Sequence, residues 1–273
     1  MSRPSISPVQ ALDHLRISVA DLDAQTVNYQ ALFGVPPRWK GIIAGAESAV
    51  FQAGNVAVWL LASTSPRGLE GVCFRVDDIE RMRRRLKSVG VAFGKSVAHD
   101  PLWASEEHGD PLRMDAVECS STRGLSLAFV DRPQPYAATD SREIEGLDHV
   151  VIASGDAQAT AFLLAAQLGM DMRMDIRRPE WDARLLFFRC GDLIVEVFEQ
   201  LGQTGDAKEQ PTDDSFYGLT WRVPDADAAH QRLEASGFDV SAVRSGRRPG
   251  SRVLTVRDRT AQVATLLIES PAP

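Results

Sequence analysis

The strongest constraint on this fold is a repetition. LDHLRISVAD begins at Leu12 and LDHVVIASGD at Leu147, an interval of 135 residues. Twenty residues after His14 comes Gly34 in ALFGV, and twenty after His149 comes Gly169 in AQLGM. Gly54 in AGNVAVWLLA and Gly191 in CGDLIVEVFE follow, with a slip of two residues between the copies. A second pair of segments matches at a shift of 147: CFRVDDIERMRRRLKSVGV from Cys73 and TWRVPDADAAHQRLEASGF from Thr220. There Phe74/Trp221, Arg75/Arg222, Val76/Val223, Asp78/Asp225, Leu86/Leu233 and Gly90/Gly237 correspond. Repeats are sought before any fold assignment, and these make four modules in the order A-B-A-B.

Each module follows one local grammar. A short alternating strand runs into an Asp suited to capping a helix, as in VADLDAQ and VPDADAA. The helix stops at Gly34, Gly90, Gly169 or Gly237, because glycine tolerates the left-handed conformation after a last turn. Three more strand-like runs follow, which in the third module are DMRMDIR, ARLLFFRC and LIVEVFE. Each module is therefore βαβββ. Residues 131–146, DRPQPYAATDSREIEG, lack periodicity and mark a linker. The expected domains are residues 1–132 and 147–273, joined by 133–146. A chain of 273 residues suits two domains at ~100–200 residues each. The irregular stretch Ala98–Asp110, AHDPLWASEEHGD, has the length of a loop that covers a site.

Composition excludes several classes of function. The net charge of −7 argues against nucleic acid as the main partner. No run approaches the ~18 apolar residues of a membrane span, and the segment MSRPSISPVQ has no apolar signal region. Cys73, Cys119 and Cys190 are an odd number without CxxC spacing, which fits a reducing, cytoplasmic setting. GxSxG, GxxxxGK[ST] and HExxH are absent from the sequence. RMRRRLK at Arg81–Lys87 fits the outer face of an amphipathic helix.

Four βαβββ modules, with a His opening the first strand and LIVEVFE closing the third module, resemble the vicinal oxygen chelate superfamily. This is the glyoxalase, bleomycin-resistance and extradiol-dioxygenase group. The resemblance implies an α+β fold in which the four modules pair into two cup-shaped mixed sheets. It also implies metal ligands on the first and last strands of a module, usually His and Glu. In the third module these positions carry His149 and Glu196, and in the fourth Gly218 and Thr265. In the first they carry His14 and Trp59, and in the second Gly71 and Ala128. Two ligands are half a site, since a held divalent ion draws three or four. The extradiol-dioxygenase pattern needs a His at Gly218, so that activity is argued against. Further ligands would have to come from Glu269, Glu199 or His230, none of them at a family position.

Strand alternation assigns faces. In the first strand His14, Arg16 and Ser18 share the cup, while Leu15 and Ile17 pack under the helices. Trp221 and Val223 are likewise expected beneath helices. By the same rule His149, Ile194, Glu196, Phe198, Thr220, Arg222, Thr265, Leu267 and Glu269 face the C-terminal cup. Trp59, Leu61, Cys73, Arg75, Ala128 and Val130 face the N-terminal one. An imidazole, a carboxylate and a guanidinium on an apolar wall suit a small-molecule site, and a carboxylate beside a His suits proton transfer. The bland alternative pairs Glu196 with Arg222 and bonds His149 to a strand carbonyl.

The resulting expectation is an isomerase- or lyase-type enzyme acting on a small oxygenated metabolite in the C-terminal cup. His149 and Glu196 are its catalytic pair or the ligands of an incomplete metal site. Arg222, Phe198, Thr220, Thr265 and Leu267 contact substrate. The cofactor is a divalent metal, Zn, Mn, Fe or Ni, or none. The alternative is a non-catalytic, sequestering protein of the bleomycin-resistance type. A small-molecule ligand is expected as partner, without nucleic acid or membrane, and a homodimer is compatible with the sequence. Trp59 stacks on a flat ligand or belongs to the core. His99 and His108, beside Trp103, Glu106 and Glu107, form a lid, a surface metal site or a solvated loop. GRRPGSR at Gly246–Arg252 binds an anion or is a solvated turn.

Overall fold

The computed structural model describes residues 7–94, 97–99, 112–116, 121–131, 141–202 and 213–271. The expectations placed on Trp103, Glu106, Glu107, His108 and Cys119 lie outside the described residues, as does the side chain of His99.

All four modules are βαβββ. The first comprises β1 (Val9–Val19), α1 (Leu22–Phe33), β2 (Trp39–Ile43), β3 (Ala46–Ala53) and β4 (Val56–Ala62). The second comprises β5 (Gly68–Val76), α2 (Ile79–Ser88), β6 (Val97–His99), β7 (Leu112–Ala116) and β8 (Leu127–Asp131). The third comprises β9 (Gly146–Ala153), α3 (Ala157–Ala161), β10 (Asp171–Arg178), β11 (Ala183–Cys190) and β12 (Leu193–Gln200). The fourth comprises β13 (Ser215–Arg222), α4 (Ala226–Ala235), β14 (Arg244–Ser245), β15 (Arg252–Val256) and β16 (Ala264–Glu269). Two mixed eight-stranded sheets result, ordered β2-β3-β4-β1-β5-β8-β7-β6 and β10-β11-β12-β9-β13-β16-β15-β14.

Capping explains why the helices start where they do. The side chains of Asp21, Asp78, Asp156 and Asp225 each accept from a backbone N–H of the first helical turn. A second carboxylate, at the end of the last strand, supports three of the four. Asp131 accepts from Ile79 N (3.2 Å), Glu199 from Ala157 N (3.3 Å) and Glu269 from Ala226 N (2.8 Å). Glu199 and Glu269 are thereby committed to helix starts, where the N–H groups have no intrahelical acceptor. The third module departs from regular helix. After α3 the chain widens into a π-helical turn, Phe162–Gln167, which leaves Phe162 exposed.

The residues gather into two units. One comprises Met1–Asp13, Val72–Pro133 and Val151–Phe216, the other His14–Gly71, Gln134–Val150 and Tyr217–Pro273. Each takes one A module and one B module. In the first unit Arg85 of α2 donates to the carbonyls of Gln167 (2.8 Å) and Ala166 (2.7 Å), closing the third module's helix. In the second, Arg232 of α4 donates to the carbonyls of Ala31 and Leu32, closing α1. Arg232 is Arg85 shifted by 147, and Ala166 and Gln167 are Ala31 and Leu32 shifted by 135. Both repeat intervals therefore meet in one contact. Elsewhere in the first unit Arg123 forms a two-pronged bond to the buried Asp214 (3.0 and 3.2 Å), which also accepts from Thr160 (2.7 Å).

The core of the second unit lies where strand alternation puts it. Leu15 and Ile17 pair in parallel with Val58 and Leu60 and are fully buried. Phe33 of α1 meets Phe51 (5.8 Å between centroids) and Trp221 (4.9 Å) edge to face. Val223 is buried as well.

The last strand corrects the expected faces. Parallel partners share a face, and Gly218, Thr220 and Arg222 pair with Ala264, Leu266 and Ile268. Thr265 and Leu267 pair instead with Leu219 and Trp221, so both turn to the helix side and are buried there. Glu269 shares that side, as its bond to α4 requires. The physical reason is the turn before β16. Arg259, Ala261 and Gln262 take positive φ values of 58°, 54° and 62°, and the tight turn shifts the strand by one residue, which inverts every face.

We expect Arg85→Ala and Arg232→Ala each to lower stability by about 1.5–3 kcal/mol, the range for hydrogen bonds to a charged group. The loss should be larger at Arg232, which also pairs with Glu143 at 2.7 Å. Urea denaturation checks this, and unchanged midpoints in both variants would contradict it.

Candidate functional site

In the second unit, β9 carries Asp148 and His149 side by side. Val150, the next residue, is fully buried, whereas the Asp148 and His149 side chains are 17% and 19% exposed. Asp148 Oδ2 lies 2.8 Å from His149 Nδ1. His149 thus bonds to a carboxylate, where a strand carbonyl had been the bland expectation. Arg222 closes β13, and its carbonyl accepts from Glu145 N at 2.9 Å. A Cβ on Gly146 would lie 3.1 Å from Arg222 Nη2, so glycine there makes room for the guanidinium. Arg248 projects from GRRPGSR. The turn is ordered by Ser251, whose Oγ and backbone N both donate to the Arg248 carbonyl, at 2.6 and 3.0 Å.

These charges act on one group. Burial pushes the Asp148 carboxyl up. The hydrogen bond with His149 and the positive charges of Arg222 and Arg248 outweigh it and hold the carboxyl below its usual value. The arrangement is an ionised carboxylate bonded to an imidazole, in the field of two guanidinia. Asp148 and Arg248 were not singled out from sequence as site residues, although LDH and GRRPGSR both contain the signal.

In the first unit, Glu196 sits on an apolar wall. It is 9% exposed and pairs with Phe187, while Phe198 pairs with Leu185 and is partly exposed. Val195 and Val197 turn to the opposite, fully buried side. A bulge between Met172 and Met174 changes the edge strand: Met174 pairs with Phe187 and Ile176 with Leu185, and Met172 goes to the other face. Strict alternation would have put all three apolar residues of DMRMDI together. His149 and Glu196 belong to different units, and each stands on its own surroundings. Thr220 keeps its expected face beside Gly218 and Arg222, buried.

The first module is built differently at the same positions. His14 stacks face to face on Trp59, with centroids 3.8 Å apart and planes 4° from parallel, and both are buried. Trp59 is therefore core, and its stacking partner is His14. A Cβ on Gly71 would run into the Arg16 guanidinium, so Arg16 fills the face next to the stack.

The donors of the fourth module do not fit a resident divalent ion. Gly218 offers none, and a Cβ there would lie 2.6 Å from the Ala264 carbonyl oxygen. Its face neighbours Ala264, Leu266 and Ile268 have no ligating atom, and Thr265 points away. Glu199 and Glu269 serve helix starts. An open cavity of about 530 Å³ in the first unit is lined by Arg123, Asp156, Gln158 and Phe162 among others. Arg123 is held by Asp214 and Asp156 caps α3, so those two side chains are engaged. Among the described residues no helix is long and apolar enough to cross a membrane.

Residues 148–255 match the Glyoxalase/Bleomycin resistance protein/Dioxygenase superfamily. No curated protein matches the sequence. Solved structures do. The Mn(II)-bound glyoxalase from Novosphingobium aromaticivorans is 14% identical, with a TM-score of 0.71 over 97% of this chain and 83% of that one. The 2,3-dioxygenase LapB from Pseudomonas sp. KL28 is 12% identical, with a TM-score of 0.71 over 98% and 95%. The 2,2',3-trihydroxybiphenyl 1,2-dioxygenase from Sphingomonas wittichii strain RW1 is 16% identical, with a TM-score of 0.64 over 96% and 91%. At these identities the likeness concerns the fold.

Gly218→His should lower stability by about 1–3 kcal/mol, as overpacking does, and should gain no Mn(II) or Zn(II) affinity. Denaturation and calorimetric titration check both parts. A stable variant that binds the metal more tightly than the parent would contradict them.

Proposed function

We propose that this chain, which belongs to the vicinal oxygen chelate superfamily, is an isomerase- or lyase-type enzyme that moves a proton on a small, oxygenated, anionic metabolite. The chemistry is assigned to the C-terminal half. The observation that carries this reading is the Asp148–His149 pair at 2.8 Å with Arg222 and Arg248 acting on it. His149 takes a proton from the carbon next to a carbonyl, and the electron pair moves onto the carbonyl oxygen. Arg222 stabilises the enolate that forms, and Arg248 binds the substrate carboxylate. In an isomerisation the proton returns to carbon. In an elimination the electron pair leaves with a group on the next carbon. Glu196 belongs to the other unit and is given no part in this step. Thr220, on the same face as Arg222, completes the proposed substrate surface; Phe198 lies in the other unit and is not assigned to it. Thr265 and Leu267 drop out, because they face the helices. With donors lacking in the fourth module, no step is assigned to a metal.

The shortage of donors also favours the second reading, a sequestering protein of the bleomycin-resistance type. One experiment separates the two. In deuterated water, a panel of 2-oxo and 3-oxo carboxylates is followed by NMR for exchange of the proton next to the carbonyl. The wild type should accelerate exchange for at least one compound. His149→Ala should lower that rate by about 10²–10⁴-fold, the usual worth of general acid–base catalysis. His14→Ala, which removes a ring stacked on Trp59 in the N-terminal half, should leave the rate per folded molecule unchanged. Saturable binding without exchange would favour sequestration, and exchange lost only in His14→Ala would move the site to the N-terminal half.

A further inference from the structure

We infer that Asp148 is a positioning residue that keeps a proton on His149 Nδ1, so that the ring exchanges protons through Nε2. The inference rests on the reading of His149 as the acting group and adds a residue to it. An ionised carboxylate can only accept, so at 2.8 Å from Asp148 Oδ2 the Nδ1 atom must be the donor. The bond that one ring nitrogen makes sets where the proton sits on the ring. Neighbours on a strand normally point to opposite faces, so the backbone alone does not bring this carboxylate to its own neighbour's ring. Two local features hold it there. Both side chains are mostly buried, which shields the bond from water. Gly146, two residues before Asp148 on the same strand, leaves the Arg222 guanidinium room to approach. A carboxylate behind an imidazole fixes both its orientation and its tautomer, a role known where a His must present one defined nitrogen.

The test needs no substrate. The full chain is labelled with ¹⁵N-histidine, and its side-chain ¹⁵N–¹H correlations are recorded at about pH 8, above the ordinary imidazole range. His149→Gln assigns the signal. In the wild type, Nδ1 of His149 should resonate as a protonated, pyrrole-type nitrogen. Asp148→Ala should move Nδ1 to the unprotonated, pyridine-type position. Asp148→Asn, which keeps the shape but whose amide N–H can donate to Nδ1, should likewise move Nδ1 to the unprotonated position. The backbone amide spectrum shows whether each variant is folded. A pyridine-type Nδ1 in the wild type would overturn the inference even if no variant folds. So would a folded Asp148→Ala protein with its Nδ1 signal unchanged. The spectra report the tautomer whether or not the protein turns anything over, so this inference and the proposed activity fail separately.

Discussion

An arginine that closes the end of a neighbouring helix is the interaction on which this architecture turns. The last carbonyls of a helix have no intrahelical donor, and the helix end carries partial negative charge. Arg85 satisfies Ala166 and Gln167, and Arg232 satisfies Ala31 and Leu32. In each case the arginine comes from a B module and the helix from an A module of the other half of the chain. A βαβββ module has one helix over four strands and cannot bury its apolar face alone. The arginine fixes which module covers which, and Trp221 against Phe33 shows the apolar packing that follows. The cost of burying a guanidinium is only partly offset at Arg232 by Glu143.

The repeated frame carries unlike side chains, and function follows from that difference. At equivalent positions the first module has His14 and Trp59 and the third has His149 and Glu196. A flat indole stacks on its histidine and seals it in the core. A carboxylate cannot do so. Arg16 fills the face of the first module, and Val151 stands at that position in the third. At these positions the N-terminal half holds a buried ring stack and the Arg16 guanidinium, and the C-terminal half holds Asp148, His149 and Arg222 in one unit and Glu196 in the other. Gly218 marks the limit of the family pattern. Its backbone lies too close to Ala264 for any side chain, so the missing ligand is excluded by packing as well as by sequence.

The repeat made the fold legible because each module states it independently: Asp cap, helix, glycine stop, three strands. Burial of Leu15, Ile17, Trp221 and Val223 followed from alternation alone. Alternation failed where the chain broke phase. The positive-φ turn at Arg259–Gln262 moved Thr265 and Leu267 to the wrong side, and the bulge at Arg173 separated Met172 from Met174. Neither break has a glycine or proline to announce it. Of the proposed site, the repeat singles out His149 and Arg222 as candidates, whereas Asp148 stands in the sequence only as part of a motif that marks the strand, and its bond to the next residue cannot be inferred from a period of two. Arg85 was read as part of a solvated basic face, because its acceptors are 81 and 82 residues away in the chain.

The central proposal is that the C-terminal half binds a small anionic ligand around His149 and Arg222 and that the His14–Trp59 stack takes no part in it. A backbone amide NMR titration of the wild-type chain with the panel of 2-oxo carboxylates addresses it directly. The account predicts saturable shifts at residues 146–151, 218–222 and 246–252, with residues 14–19 and 56–62 unmoved. Shifts centred on His14 and Trp59, with Asp148, His149 and Arg222 unchanged, would contradict it.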